Sequence, residues 1–455
     1  MERRAFFRKS AGIGALLAGI SGCKIEHTPR PPRSVDNWKI AGRSLEELRE
    51  QYRHDLFDDF LPFMDKYVID HEQGGFMCEV DLNGSRIDSK KHARYEGSGI
   101  WTYSYLYNHI QAEKKYLEIA HKSVNFLRKN RPVGDRFWPE NYTREGKTDG
   151  RPDAGGYGDL FIATGFQEFA KASGESKWWD LAKETLMKVV RLYDRPDYYP
   201  AAGQVYLGPK ARPIPGARIL RVWMYLINLT SQMLEYKSDT DVREVLSRSL
   251  KAVIDFHFNP EFNLMNEILN HDMTRPSNEY RQLIYTGNAI ETLAMILYEA
   301  ARIKDKELFT KAVERFKRHV EVAWDDVSGG VFLGLNNVSK NEWVIDKALW
   351  AQEEVLIGSL FIVEQTGEPW AKEMFGKMYT YVQDKYPMKK YVYPLRINSA
   401  NRKTSSATRY DRAENFHHPR HLMLNLLCID RMLKRGGKVS NLFGQDKQSP
   451  SIPIK

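Results

Sequence analysis

Ala172-Ser173-Gly174-Glu175-Ser176-Lys177-Trp178 decides how this chain folds. A glycine just past a helical run can take the left-handed conformation that ends it, and the tryptophan then opens the next helix. Downstream, Ala182, Leu186, Val189, Val190 and Tyr193 recur at spacings of three and four, the period of one buried helix face. Gln365-Thr366-Gly367-Glu368-Pro369-Trp370 repeats the joint in the second half, and Ile290, Leu293, Ile296, Leu297 and Ala300 repeat the apolar stripe. Antiparallel helix hairpins are therefore expected along the chain, an all-α organisation. Short extended pieces separate them. Gly74-Gly75-Phe76-Met77-Cys78-Glu79-Val80-Asp81 runs into the turn pair Asn83-Gly84, and Gly329-Gly330-Val331-Phe332-Leu333-Gly334-Leu335 runs into Asn336-Asn337. These two segments read as one device used twice. Helix hairpins carrying small strand loops predict a toroid of paired helices with its site among loops at one end. An open solenoid, the other arrangement the periodicity allows, would show a fixed repeat length, and none is found.

At 455 residues the chain can bury a large core, and no Pro- or Gly/Ser-rich linker interrupts its interior. One domain over residues 41–437 is expected, followed by a tail at 438–455. Aromatic residues make up 12% of the chain, with ten Trp, which suits stacking against sugar faces and ordinary packing alike. Arg3-Arg4-Ala5-Phe6-Phe7-Arg8-Lys9 resembles a twin-arginine export motif, and Ala11 to Ile20 is apolar but too short for a permanent membrane span. Ile20-Ser21-Gly22-Cys23 resembles a bacterial lipobox with Cys23 as the acylated residue. The expectation is a signal peptide at 1–22 and a lipidated cysteine with its tether at 23–40. The mature protein would then be exported and held at a bacterial periplasmic or cell-surface membrane by lipid alone.

Cys78 and Cys428 sit among apolar residues and are expected as core fillers. The net charge of +9 falls to +6 once residues 1–22 are removed, because Arg3, Arg4, Arg8 and Lys9 against Glu2 carry +3 of it. That excess allows an acidic substrate. It is too diffuse for nucleic acid, and no basic stretch alternates with aromatics.

Phe416-His417-His418-Pro419-Arg420 stands at the head of an apolar helical run. A histidine fixed between an aromatic ring and a proline, partly desolvated, can move protons near neutral pH. Metal-ligand spacing, a Gly-rich phosphate loop and a dinucleotide fingerprint are all missing, so the chemistry is expected from side chains alone, without metal or cofactor.

Taken together, these pieces resemble the N-acylglucosamine 2-epimerase superfamily, which includes cellobiose 2-epimerases and mannose isomerases. The resemblance spans residues 45–435. It rests on the Gly74-Gly75-Phe76 hairpin, Trp101-Thr102-Tyr103-Ser104, Asn266-Glu267, Gly287 with Glu291, Lys347 with Trp350-Ala351-Gln352-Glu353-Glu354, and Phe416-His417-His418-Pro419-Arg420. It implies an (α/α)6 barrel with sugar bound at the loop-rich end and Glu267, Glu291 and Glu354 supporting the site. Several family positions differ. Ser98 stands where an arginine is usual, Met224-Tyr225 where a Met-His pair is, and Thr286-Gly287-Asn288 where Pro-Gly-His is; Arg221 replaces an asparagine. Only His417 stays.

Two titrating groups on opposite faces epimerise a sugar most simply, and Asn288 has no usable pKa. One histidine, one tyrosine, an amide donor and an added guanidinium suit removal of a proton alpha to a carboxylate. The expectation is β-elimination on a uronic-acid-containing oligosaccharide, a lyase or dehydratase reaction, with His417 and Tyr225 as acid and base. Asn288 and Arg221 would stabilise the developing charge. Arg94, Glu96 and His92 form a polar rim in this reading, and Trp101 and Trp350 are stacking candidates. Glu291, Glu354 and Arg420 are placed around the substrate, and His418 is structural. The alternatives are a sugar epimerase or isomerase with altered proton donors, a glycoside hydrolase using Asp159 with Glu291, and a non-catalytic sugar-binding relative.

Overall fold

A computed structural model describes residues 39–443 apart from 82–83, 135, 153–154, 199–205, 388–398 and 401–411. Cys23, the export motif, the tether before residue 39, Asn83 of the first turn pair and the last part of the tail lie outside the described residues.

Six helices form an inner ring: α3 (Ala93–Tyr105), α5 (Tyr157–Ser173), α7 (Leu220–Tyr236), α9 (Thr286–Ile303), α11 (Leu349–Thr366) and α13 (His417–Lys434). Each packs on the next, and α13 closes the ring against the turn that ends α3. Outside them lie α4 (Lys114–Lys129), α6 (Ser176–Tyr193), α8 (Thr240–Lys251), α10 (Lys306–Ala323) and α12 (Pro369–Lys385), each against the inner helix before it. The sixth outer position belongs to α1 (Leu45–His54), which continues through a wider turn into α2 (Leu61–Tyr67) and packs on α13. This is the expected (α/α)6 barrel. The two rings differ as burial requires. In α11 nearly every residue is buried, so apolar side chains occur on every face of it, whereas α6 buries one face through Ala182, Leu186, Val189, Val190 and Tyr193.

The two glycine joints work as the sequence predicts. Gly174 (φ +71°) and Gly367 (φ +68°) both sit in the left-handed region, and their N–H groups donate to Ala170 O and Val363 O. Two other glycines set a helix spacing. A Cβ on Gly97 would lie 2.3 Å from the Phe161 carbonyl carbon, and one on Gly165 would lie 2.6 Å from Gly97 O. The α3 and α5 backbones touch there because neither residue has a side chain.

The two hairpin segments are the same device, atom for atom. After α2, Asp70 N–H donates to Gly75 O (2.9 Å) and Gly74 N–H returns to Asp70 O (2.8 Å). After α10, Asp325 N–H donates to Gly330 O and Gly329 N–H to Asp325 O, both at 2.8 Å. A buried lysine pins each turn. Lys91 Nζ donates to Gly74 O (2.6 Å) beside Asp70 (3.1 Å), and Lys347 Nζ donates to Gly329 O (2.5 Å) beside Asp325 (2.7 Å). Five residues after each lysine, one side chain of the following inner helix accepts from the next strand. Phe76 N–H donates to Glu96 Oε1, and Val331 N–H donates to Gln352 Oε1, each at 2.7 Å. Cys78 and Cys428 are free, buried thiols, as expected. Among the described residues no helix is long and apolar enough to cross a membrane.

Candidate functional site

Each inner helix delivers site side chains from its first two turns: Arg94 from α3, Tyr157 from α5, Arg221 and Tyr225 from α7, Glu291 from α9, Trp350 and Glu354 from α11, and His417 from α13. Six helices threaded in the same direction therefore converge on one end of the barrel. A cavity of about 500 Å³ opens there, lined by Arg94, Tyr157, Phe161, Arg221, Tyr225 and Arg412 among others.

His417 is the first residue of α13 and is fixed on three sides. Its backbone N–H donates to Glu414 Oε2 (2.8 Å), which caps the helix. Its Nδ1 lies 3.4 Å from Glu354 Oε1 and 3.7 Å from Glu291 Oε1. The Trp350 ring lies against it, with centroids 5.3 Å apart. One turn on, Arg420 forms an ion pair with the same Glu354 oxygen. Phe416 connects this cluster to the cavity, its ring edge-on to Phe161 at 5.2 Å, and Phe161 is in turn edge-on to Tyr225 at 4.8 Å.

The electrostatics follow from burial and from these partners. Burial pushes Glu291 up to about 7, with His417 pulling the other way. Burial opposes charge on Glu354 too, but Arg420 and His417 outweigh it and hold this carboxyl below its ordinary range. His417 is raised: burial favours the neutral ring, yet Glu291 and Glu354 together favour the cation. Charge on His417 and charge on Glu291 therefore favour each other across the 3.7 Å between them. Tyr225 is driven upward by burial, more than Arg94 and Arg221 pull it down, so its phenol is neutral at physiological pH. It can donate a proton but is not a base.

Several expected ligands have other work. Glu96 belongs to no rim: its carboxylate is enclosed between Phe76 N–H and Ser123 Oγ (2.6 Å), the position Gln352 fills in the second hairpin. Trp101 is a core residue. It donates from Nε1 to Gln232 (2.8 Å), stacks on Tyr105, and faces a separate cavity of about 390 Å³ at the C-terminal ends of the inner helices. Arg420 lines that second cavity and meets the site cluster through its ion pair with Glu354 and its place over the Phe416 ring. Asn288 donates to Glu267 Oε1 (2.9 Å) and Tyr206 Oη (3.2 Å), and Tyr206 donates to Glu267 (2.7 Å). Its amide is engaged in this buried trio and does not line the Arg94–Arg221 cavity. Asp159 is held by Lys188 (3.0 Å) and Trp138 N–H (3.1 Å), which removes the carboxylate couple with Glu291.

Arg94, Arg221 and Tyr225 are brought together at one cavity, with His417, Glu291, Glu354 and Trp350 forming the adjoining cluster. His92 lines the same cavity and is bonded to Glu79 (2.7 Å); His418 pairs with Glu353 away from it. Sequence reasoning missed Tyr157, Tyr206 and Glu414. Tyr157 was marked by Gly155-Gly156 ahead of an inner helix, but Tyr206 and Glu414 carry no local signal.

The family model for N-acylglucosamine 2-epimerase (GlcNAc 2-epimerase) matches residues 74–421. N-acylglucosamine 2-epimerase of Bos taurus is 24% identical over 337 residues, 71% of this chain and 77% of that protein. Cellobiose 2-epimerase from Bacillus thermoamylovorans B4167 superposes with a TM-score of 0.72 at 15% identity, over 85% of this chain and 100% of that one. A D-mannose isomerase superposes with a TM-score of 0.65 at 14% identity, over 85% of this chain and 97% of that one.

Proposed function

Because the chain belongs to the N-acylglucosamine 2-epimerase family, we propose that it enolises a sugar, with His417 carrying the proton, and releases an isomer or epimer. The observation that supports this reading is the seating of His417, whose Nδ1 faces Glu354 and Glu291 and so leaves Nε2 for chemistry. Nε2 takes the proton from the carbon beside the carbonyl, and the C–H electron pair forms the carbon–carbon double bond of an enediolate. The imidazolium returns the proton to the former carbonyl carbon while the neighbouring hydroxyl's proton passes to the former carbonyl oxygen. A second base is not required if the proton moves between neighbouring carbons on one face. With Tyr225 and Asn288 unable to serve as bases near neutral pH, isomerisation is the version these residues fit best.

Tyr225 favours a second reading. A neutral phenol beside Arg94 and Arg221 is placed to protonate a leaving oxygen. If the sugar is a uronate, loss of the proton alpha to its carboxylate forms a carbon–carbon double bond as the beta carbon–oxygen bond breaks. That is the lyase or dehydratase outcome.

Turnover of neutral and uronate oligosaccharides in heavy water separates the two. Deuterium in a recovered isomer, without new ultraviolet absorbance, supports isomerisation; a conjugated unsaturated uronate supports elimination. New reducing ends without unsaturation would show hydrolysis and overturn both, as would full activity in His417→Ala. We also propose that the protein is exported and acylated at Cys23; a Cys23→Ala protein that stays in the membrane fraction would refute the anchor.

A further inference from the structure

Arg94 and Arg221 differ from several other arginines of this barrel. Arg144, Arg302, Arg420 and Arg431 each meet a carboxylate, Asp70, Glu299, Glu354 and Glu364 respectively. Arg94 and Arg221 meet none among the described residues, and the Nε of each is buried without a hydrogen-bond partner. Both are instead laid on aromatic faces, Arg94 over Phe161 at 5.1 Å and Arg221 over Tyr157 at 4.4 Å. The two cations also repel each other across the cavity they share. Tyr225, which lines the same cavity, is neutral and cancels neither charge. Of the carboxylates lining the cavity, Glu79 is taken by His92, and neither it nor Glu140 pairs with these arginines. Glu414 attracts Arg94 and Glu267 attracts Arg221 without an ion pair to either, so two like cations facing one cavity are only partly compensated.

We infer that this cavity seats an anionic group of the saccharide, a carboxylate or a sulfate ester, between the Arg94 and Arg221 guanidinium groups. The inference rests on the reading that the cavity beside His417 is the sugar site, and it narrows that reading to negatively charged sugars. An oxyanion there accepts from the ends of the two guanidinium groups that line the cavity and removes the repulsion between the cations. It also fixes the sugar ring at one end while the carbon to be deprotonated lies toward His417.

Calorimetric binding to the full chain tests this without turnover, using glucuronate, glucose 6-sulfate and glucose at low salt. The expected result is that at least one of the two anions binds ten-fold or more tighter than glucose, with the preference shrinking as salt is added. Arg94→Gln and Arg221→Gln should each lose at least ten-fold of that binding, and the Lys variants should recover part of it, with circular dichroism unchanged. Whether glucuronate or the sulfate ester binds tighter identifies the group. Equal binding of all three sugars, or anion binding that survives both Gln substitutions, overturns the inference. Tight anion binding without turnover of any acidic sugar would instead refute the proposed reaction and leave the anion seat standing.

Discussion

Replacing Glu96 by glutamine separates a hairpin clamp from a sugar ligand, and its size follows from the environment of the carboxylate. Burial pushes Glu96 up to about 7 from an ordinary value of 4.5, against the opposing pull of Ser123, Phe76 N–H and Lys91. Folding therefore binds this proton more tightly than the unfolded chain does. The stabilisation is full below pH 4.5 and is lost as pH rises through 7. A shift of that size corresponds to about 3 kcal/mol. Gln352 makes the same bond to Val331 N–H in the second hairpin, so an amide is chemically adequate at this position. Glu96→Gln should match the parent within about 1 kcal/mol near pH 5 and exceed it by about 3 kcal/mol at pH 8. Glu267 and Glu291, also raised by burial, are common to both proteins and cancel in the difference. Urea unfolding at pH 5, 6, 7 and 8 measures it. A difference that stays flat across this range would mean that Glu96 is charged throughout, and the reasoning fails. A large loss of activity at unchanged stability would return Glu96 to the sugar site.

His417→Ala and Tyr225→Phe should each reduce turnover by about 100-fold or more with the helical circular dichroism spectrum retained, the scale of a lost proton-transfer group. Arg420→Ala leaves Glu354 buried without its ion pair and should cost about 3–5 kcal/mol in denaturant unfolding; a loss below 1 kcal/mol would show that His417 alone holds that charge. Gly97→Ala forces α3 away from α5 and should destabilise by about 1–3 kcal/mol, whereas Gly174→Ala, with open space around the new methyl, should cost only the left-handed backbone strain. Melting temperatures of the pair rank them, and a reversed order would refute the close approach.

The ring of helices was legible because its signals are local. Glycine joints and three-and-four spacing report on neighbours within a turn or two, and both glycines take the predicted conformation. The twin hairpins were legible for the same reason. The site was harder, because a polar residue in an inner helix reads alike whether it faces the hollow or a neighbour. Glu96 and Arg94 lie two residues apart on α3; one closes a hairpin and the other lines the cavity. Asn288 was expected to stabilise charge on the substrate, and only the folded chain shows that its amide is bonded to Glu267 and Tyr206.

The shared direction of the six inner helices has a consequence independent of any side chain. Aligned peptide dipoles leave about half a positive charge at each helix N-terminus. All six such ends surround one hollow, so the backbone itself supplies a positive field there. An enolate or carbanion forming in that hollow is favoured whichever groups move the proton. Tyrosine and asparagine can thus stand where histidines are usual while the barrel keeps its capacity to hold developing negative charge.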